Sequence, residues 1–202
     1  MNFSPDSKFF AFMSKVGDFI ALNVIFIITC IPIITTGASI CALYSACKKR
    51  MYDKESYITS NFLSAWKENF KNATIIWLFF LLLLPVLYLL SGFLVRHMNN
   101  IFVITGYIFV ILCYLFSIIY AFPLQASFVN HPFRIICNSV LTAVIHLPYT
   151  LLLAAVTVIP PALTWLFPGA LYFTLAYWAV IGFSLNAILS IIITDRVFRH
   201  YR

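Results

Sequence analysis

The chain has 202 residues, of which 63% are hydrophobic and only 9% charged, with a formal net charge of +7. Soluble domains carry about 25% charged residues, and a water-soluble fold of this length has too little interior to hide so much apolar side chain. That excludes a globular protein in water and leaves the bilayer as solvent; the positive charge is then a matter of membrane sidedness and calls for no nucleic-acid partner.

A run of about 20 apolar residues, rising 1.5 Å each as a helix, crosses a hydrocarbon core of about 30 Å. Five runs qualify: Phe19 to Cys47, Ala73 to Val95, Ile101 to Phe122, Ser139 to Ile159 and Leu171 to Thr194. They are continuously apolar rather than alternating, which predicts helices and not barrel strands. The expected fold is all-α, a single polytopic membrane helix bundle over residues 1–202, with five spans and a broken first span.

Residues 1–18 come first. Phe9, Phe10, Phe12, Met13 and Val16 recur at helical spacing beside Lys8 and Lys15, as in an interfacial helix or an ordinary juxtamembrane extension. A cleavable signal peptide fits poorly, because the apolar stretch is too long, Asp18 stands at its start and further spans follow.

The first run is 29 residues, about 43 Å as a straight helix, and Pro32 with Thr35-Thr36-Gly37 interrupts it. It is either one broken span or two half-helices that enter and leave on one side. The single broken span is preferred, since re-entrant backbone must be shielded by protein and four other helices offer limited cover. Beyond Pro32 and Gly37, Ala38, Ala42 and Ala46 recur every fourth residue. That small-residue face suits close helix packing inside the bundle more than an oligomer contact.

Residues 48–72 form a charged loop with six of the thirteen Lys+Arg and three of the six Asp+Glu. Ser60 can cap a helix there, and Ile58, Phe62, Leu63, Trp66 and Phe70 then fall at spacings of three and four. This amphipathic helix would lie at the inner surface, cap the bundle, or dock a partner by its aromatic face.

Polar residues inside spans are few and need an explanation. His146, followed by Leu147-Pro148, and Asn186 each lie about 12 Å from one end of consecutive spans, so they are expected at one depth, facing the bundle and able to hydrogen-bond. Asn23 in the first span and Gln125 near the end of the third read the same way, as satisfied polar groups or as parts of a polar site. Pro160-Pro161 and Pro168-Gly169 read as helix stops around an outer turn, and residues 195–202 as a basic cytoplasmic tail.

Cytoplasmic loops carry the excess of Lys and Arg. With five spans and the N-terminus outside, the inner side collects Lys48, Lys49, Arg50, Lys54, Lys67, Lys71, Arg134, Arg196, Arg199 and Arg202, and the outer side only Lys8, Lys15 and Arg96. The re-entrant alternative moves Lys8 and Lys15 inside as well. Either way the C-terminus is cytoplasmic.

Reaction chemistry is missing. The sequence has no glycine-rich phosphate loop, no His/Cys/Asp/Glu cluster at metal spacing and no nucleophile-base pair. Cys30, Cys41, Cys47, Cys113 and Cys137 include no C-x-x-C pair and read as small buried hydrophobes. No enzyme, metal or cofactor is expected.

The stretch Asn23 to Tyr44, with Ile31-Pro32, Thr36-Gly37-Ala38 and Ala42-Leu43-Tyr44, continues into Phe62-x-x-Ala65-x-Lys67-x-Asn69-Phe70-x-x-Ala73-Thr74. It resembles the YesL-like family of small bacterial multispan membrane proteins of unknown function. Members tend to be encoded with carbohydrate ABC importers, extracellular sugar-binding proteins and sensor kinases. The resemblance implies a multi-pass protein of the bacterial cytoplasmic membrane and an accessory role beside such an importer or its sensing system, and it carries over no catalytic residues. On that reading the partners are the bilayer and the membrane subunits of an importer or kinase, engaged by helix-helix and cytoplasmic-loop contacts. The alternative is a small stand-alone transporter with a polar site between spans, as discontinuous helices provide in carriers.

Overall fold

The computed structural model describes residues 8–53, 57–96, 101–128, 130–166, 169 and 171–199, and no strand occurs among them. The helices in chain order are α1 (Lys8–Cys30), a 3₁₀ turn (Ile33–Thr35), α2 (Thr36–Tyr52), α3 (Ile58–Arg96), α4 (Ile101–Ser127), α5 (Pro132–Ile145), α6 (Leu147–Leu166), α7 (Leu171–Tyr177), a π turn (Trp178–Gly182) and α8 (Phe183–Phe198). Five segments are long and apolar enough to cross a membrane: Met13–Cys30, Ile58–Gly92, Ile101–Ser127, Leu147–Leu166 and Tyr172–Phe198. The all-α multispan fold is as the composition predicts. Of the interfacial segment residues 1–7, of the loop residues 54–56, of the outer turn Pro168, and of the tail residues 200–202 lie outside the described residues.

The first apolar run breaks where the sequence says, at Pro32, but the chain then reverses. A residue before proline is driven out of the helical region, and Pro32 itself is extended, with φ −75° and ψ 112°. Arg50 near the end of α2 reaches Asp18 in α1, its Nη2 2.7 Å and its Nε 2.9 Å from the same Oδ2. Two residues on either side of the break can meet only if α1 and α2 form an antiparallel hairpin. This corrects the single broken span: the run from Phe19 to Cys47 enters and leaves at one end of the bundle.

The shielding that the sequence left unaccounted for comes from two sources. Hydroxyls on the hairpin take up its freed carbonyls: Thr35 Oγ1 lies 2.7 Å from the Thr29 carbonyl and 2.8 Å from that of Pro32, and Ser39 Oγ also donates towards the Thr29 carbonyl, at 3.1 Å. Helix α3 supplies the rest, its Trp77 Nε1 donating to the Ile33 carbonyl at 2.8 Å.

Helix α2 runs antiparallel along the first half of α3. Ala38, Ala42 and Ala46 are all 0% exposed, with Ala73 against Ala38 and Cys41, and Phe62, Ala65 and Ile58 against Ala42 and Ala46. The alanine face is therefore an internal packing face. Gly37 begins it: a Cβ there would stand 2.5 Å from Trp77 Cβ and 2.6 Å from the Ala73 carbonyl oxygen. Gly37→Ala is expected to push α2 off α3 and to lower stability by about 1–3 kcal/mol, as overpacking does; thermal unfolding in detergent measures it, and a neutral result would show that the helices separate freely.

The fourth run is also divided. Proline at 148 lacks an N–H and its ring crowds the preceding turn, so α5 ends at Ile145 and α6 starts at Leu147, with His146 between them at φ −110° and ψ 45°. Pro160 and Pro161, in contrast, do not stop a helix: α6 continues through them to Leu166. In lipid a helix tolerates proline when other groups satisfy the released backbone. The Val156 carbonyl, released by Pro160, accepts from Asn186 Nδ2 of α8 at 2.9 Å.

The bundle is tightly packed at one end only. Together the three buried clusters draw on α1, α2, α5, α8, the first half of α3, the second half of α4 and the start of α6. They take no residue from α3 beyond Phe80, from α4 before Tyr114, from α6 beyond Leu153 or from α7.

Candidate functional site

The polar side chains within the spans serve the backbone. Asn23, 0% exposed, points from α1 into the π turn. Its Nδ2 donates to the carbonyls of Trp178 and Ala179, both at 2.8 Å, and its Oδ1 accepts from the N–H groups of Phe183 at 3.0 Å and Ser184 at 3.2 Å. An asparagine has two N–H donors and two lone pairs on oxygen, so its capacity is filled. A π turn leaves backbone groups out of the i→i−4 ladder, and this one amide replaces what the turn gives up.

Asn186 works the same way at Pro160. The proline has no N–H to offer the Val156 carbonyl, and Asn186 Nδ2 donates to that oxygen at 2.9 Å. Val156 stands ten residues, about 15 Å, along from His146. The expected equal depth of His146 and Asn186 therefore does not hold. His146 caps α5 and makes an edge-on ring contact with Tyr149 at 6.4 Å. Thr150 Oγ1 satisfies the carbonyls of Ala143 and His146 at 2.8 and 3.1 Å across that break.

Between the hairpin and α6 to α8 lies a largely apolar hollow of about 600 Å³, lined by Phe26, Thr36, Tyr44, Pro161, Trp178 and Asn186 among others. Its one amide is already engaged on Val156.

The aromatic face of the charged loop is partly spent on the fold. Ile58 and Phe62 are buried against α2, whereas Leu63 and Phe70 stay exposed. Trp66 is half-buried and stacks on Phe70 at 4.8 Å. The helix caps the bundle, and two of the five docking candidates, Ile58 and Phe62, are inside it.

A second hollow of about 720 Å³ opens at the charged end, between α2, α3, α4 and α8. Its floor is fixed by Lys48, whose Nζ lies 3.2 Å from Asp195 Oδ1 and donates to Ser127 Oγ at 3.0 Å. Lys49, Arg199, Asp53, Glu68, Asn69, Asn72 and Gln125 line the rest. Gln125 is only 4% exposed, and its Nε2 donates to Asn69 Oδ1 at 3.1 Å while its Oε1 has no partner. The sequence reads Gln125 as a satisfied polar group or as part of a polar site and gives no sign of the cleft. Its walls come from four distant segments, and the available signal was that each neighbouring apolar run ends on a polar residue at the same end. No group of three or more His, Cys, Asp or Glu able to hold a metal occurs among the described residues.

Residues 19–89 match the family model described as "Protein of unknown function, DUF624". The matched stretch holds the hairpin from Phe19 onward, the whole α2 to α3 interface and Asn23, and it contains the residues that carry the YesL-like resemblance. No curated protein and no solved structure matches the chain.

Proposed function

We infer that this multispan membrane protein is a YesL-like accessory subunit, working beside a carbohydrate ABC importer or its sensing system and holding it by helix-helix contact in the membrane. The observation that supports this reading is the unequal packing of the bundle. Tyr88, Leu89 and Phe109 are 77%, 72% and 65% exposed on α3 and α4, in the half from which the buried clusters take nothing. Such helix faces accept further transmembrane helices through van der Waals packing. The chemistry of the interior supports the same reading, since the amides of Asn23 and Asn186 donate to backbone carbonyls rather than being offered to a solute.

Affinity purification from native membranes tests the reading, with wild type beside a Tyr88→Ala, Leu89→Ala, Phe109→Ala variant. Recovery of importer or sensor-kinase membrane subunits with wild type, and their loss with the variant, supports it. Finding no partner, together with solute flux in reconstituted vesicles, would replace it with the carrier.

The hairpin bears on the sidedness as well. Asp18 and Arg50 share one end, and Lys48 joins Asp195 at the same end as Lys49 and Arg199. The distribution of basic residues supports a cytoplasmic assignment for that end, and with it an N-terminus and a C-terminus both on the inner side of a bacterial cytoplasmic membrane. A cysteine at Lys15 should react with impermeant maleimide only in inside-out vesicles; labelling of intact cells would restore an outer N-terminus.

A further inference from the structure

We propose that the cleft at the charged end binds a zwitterionic ligand carrying a phosphate and a primary ammonium, of which the phosphoethanolamine headgroup is the simplest form. The assignment starts from the buried amide pair. Asn69 Nδ2 donates to the Ala65 carbonyl at 3.0 Å, so its Oδ1 is the atom that faces Gln125. Gln125 must answer with its NH₂, which leaves Oε1 as a buried acceptor without a partner, on a residue that lines the cleft. Amide orientation is assigned from such networks, and this one permits a single choice. A buried acceptor without a donor is costly, and what it requires from a ligand is an N–H or O–H.

The charges narrow the ligand further. Lys48, Lys49 and Arg199 line the same cleft as Asp53, Glu68 and Asp195, three of each sign. Lys48 and Asp195 neutralise each other in the floor. Lys49, Arg199, Asp53 and Glu68 have no ion-pair partner among the described residues, although Asp53 follows Lys49 by one helical turn. A lining of zero net charge with two free cations and two free carboxylates repels neither end of a zwitterion, whereas a plain anion or cation gains beside one sign and loses beside the other. Phosphate suits Lys49 and the Arg199 fork. The ammonium suits Glu68, Asp53 and Gln125 Oε1. This chemistry comes either from a lipid of the inner leaflet or from a free solute.

The decisive comparison is ethanolamine against choline, since both headgroups have the same charges but only the first has N–H donors. Full-length protein in non-ionic detergent is exposed to equal amounts of phosphatidylethanolamine, phosphatidylcholine and phosphatidylglycerol, and the retained lipid is measured by mass spectrometry. Ethanolamine lipid should be enriched at least about tenfold over choline lipid. Gln125→Met should bring the two to parity, and so should Glu68→Gln, which lies on an exposed residue and leaves the thermal transition in place. If soluble O-phosphoethanolamine displaces the lipid, the headgroup alone carries recognition and a solute can be the source; lipid retained against it makes the bilayer the source. Equal retention of choline lipid, preference for phosphatidylglycerol, enrichment unaffected by either variant, or no retention at all overturns the proposal.

Discussion

Asn23→Leu is expected to be the most damaging single substitution in the spans, lowering stability by about 4 kcal/mol. The side chain removed makes four hydrogen bonds, two to carbonyls and two to N–H groups of the π turn. Intramembrane hydrogen bonds between side chains average less than 1 kcal/mol each, because the unfolded chain in lipid finds other partners. Here the partners are backbone groups that the π turn has already withdrawn from its own ladder, so each carries the larger penalty of an unsatisfied buried group. Part of that is recovered if Trp178 to Gly182 re-forms as α-helix, which keeps the total well below the sum. Asn23→Asp separates the two halves of the network: its oxygens still accept from Phe183 and Ser184 but meet the Trp178 and Ala179 carbonyls with a second acceptor. It should lie nearer to leucine than to wild type. Thermal unfolding in detergent reads both, and an unchanged midpoint for Asn23→Leu would mean that the π turn holds itself.

The second large effect lies in the loop. Phe62→Ala should cost about 3–5 kcal/mol, the range for removing a buried phenylalanine and leaving a cavity. Phe62 is 0% exposed and packs with Leu22, Ala42, Ala46 and Ile191, which brings α1, α2, α3 and α8 together. Its neighbour Leu63, 43% exposed, should cost well under half as much when cut to alanine. The pair is a control as well as a prediction. A docking experiment that truncated Phe62 would lose its partner by unfolding the loop, so a deficit with Phe62→Ala but not with Leu63→Ala and Phe70→Ala would say nothing of docking. Equal losses at 62 and 63 would show that the helix stands clear of α2.

The sequence made the solvent, the helical class and the site of the first break legible, because each rests on local chemistry. Pro32 with Thr35-Thr36-Gly37 interrupts a run too long for one straight span, and alanines at 38, 42 and 46 make a small-residue face suited to close packing; the fourth run, in contrast, reads as continuous through Pro148. The direction after Pro32 was hidden, because Asp18 and Arg50 are opposite charges 32 residues apart and the pairing that settles it is tertiary. Pro160 misled for the same reason. Its vacancy at the Val156 carbonyl is filled from α8 by Asn186, 30 residues further on. The polar residues of the spans were visible as exceptions, but only the fold shows that two of them repair helices. Gln125 is the converse, an ordinary residue at a helix end that becomes an unmatched acceptor once Asn69 faces it.

The length of the Asn23 contacts bears on how the protein is made. Asn23 precedes Trp178 by 155 residues, so at about 5–20 residues per second it leaves the ribosome some 8–30 s before its partners. Trp77 follows Ile33 by only 44 residues and arrives in a fraction of that time. The hairpin and α3 can thus assemble while the rest of the chain is still being translated, with the Asn23 amide held ready inside the membrane. The last helix enters against a template already formed, and a chain stopped before residue 178 would leave that amide without its backbone partners.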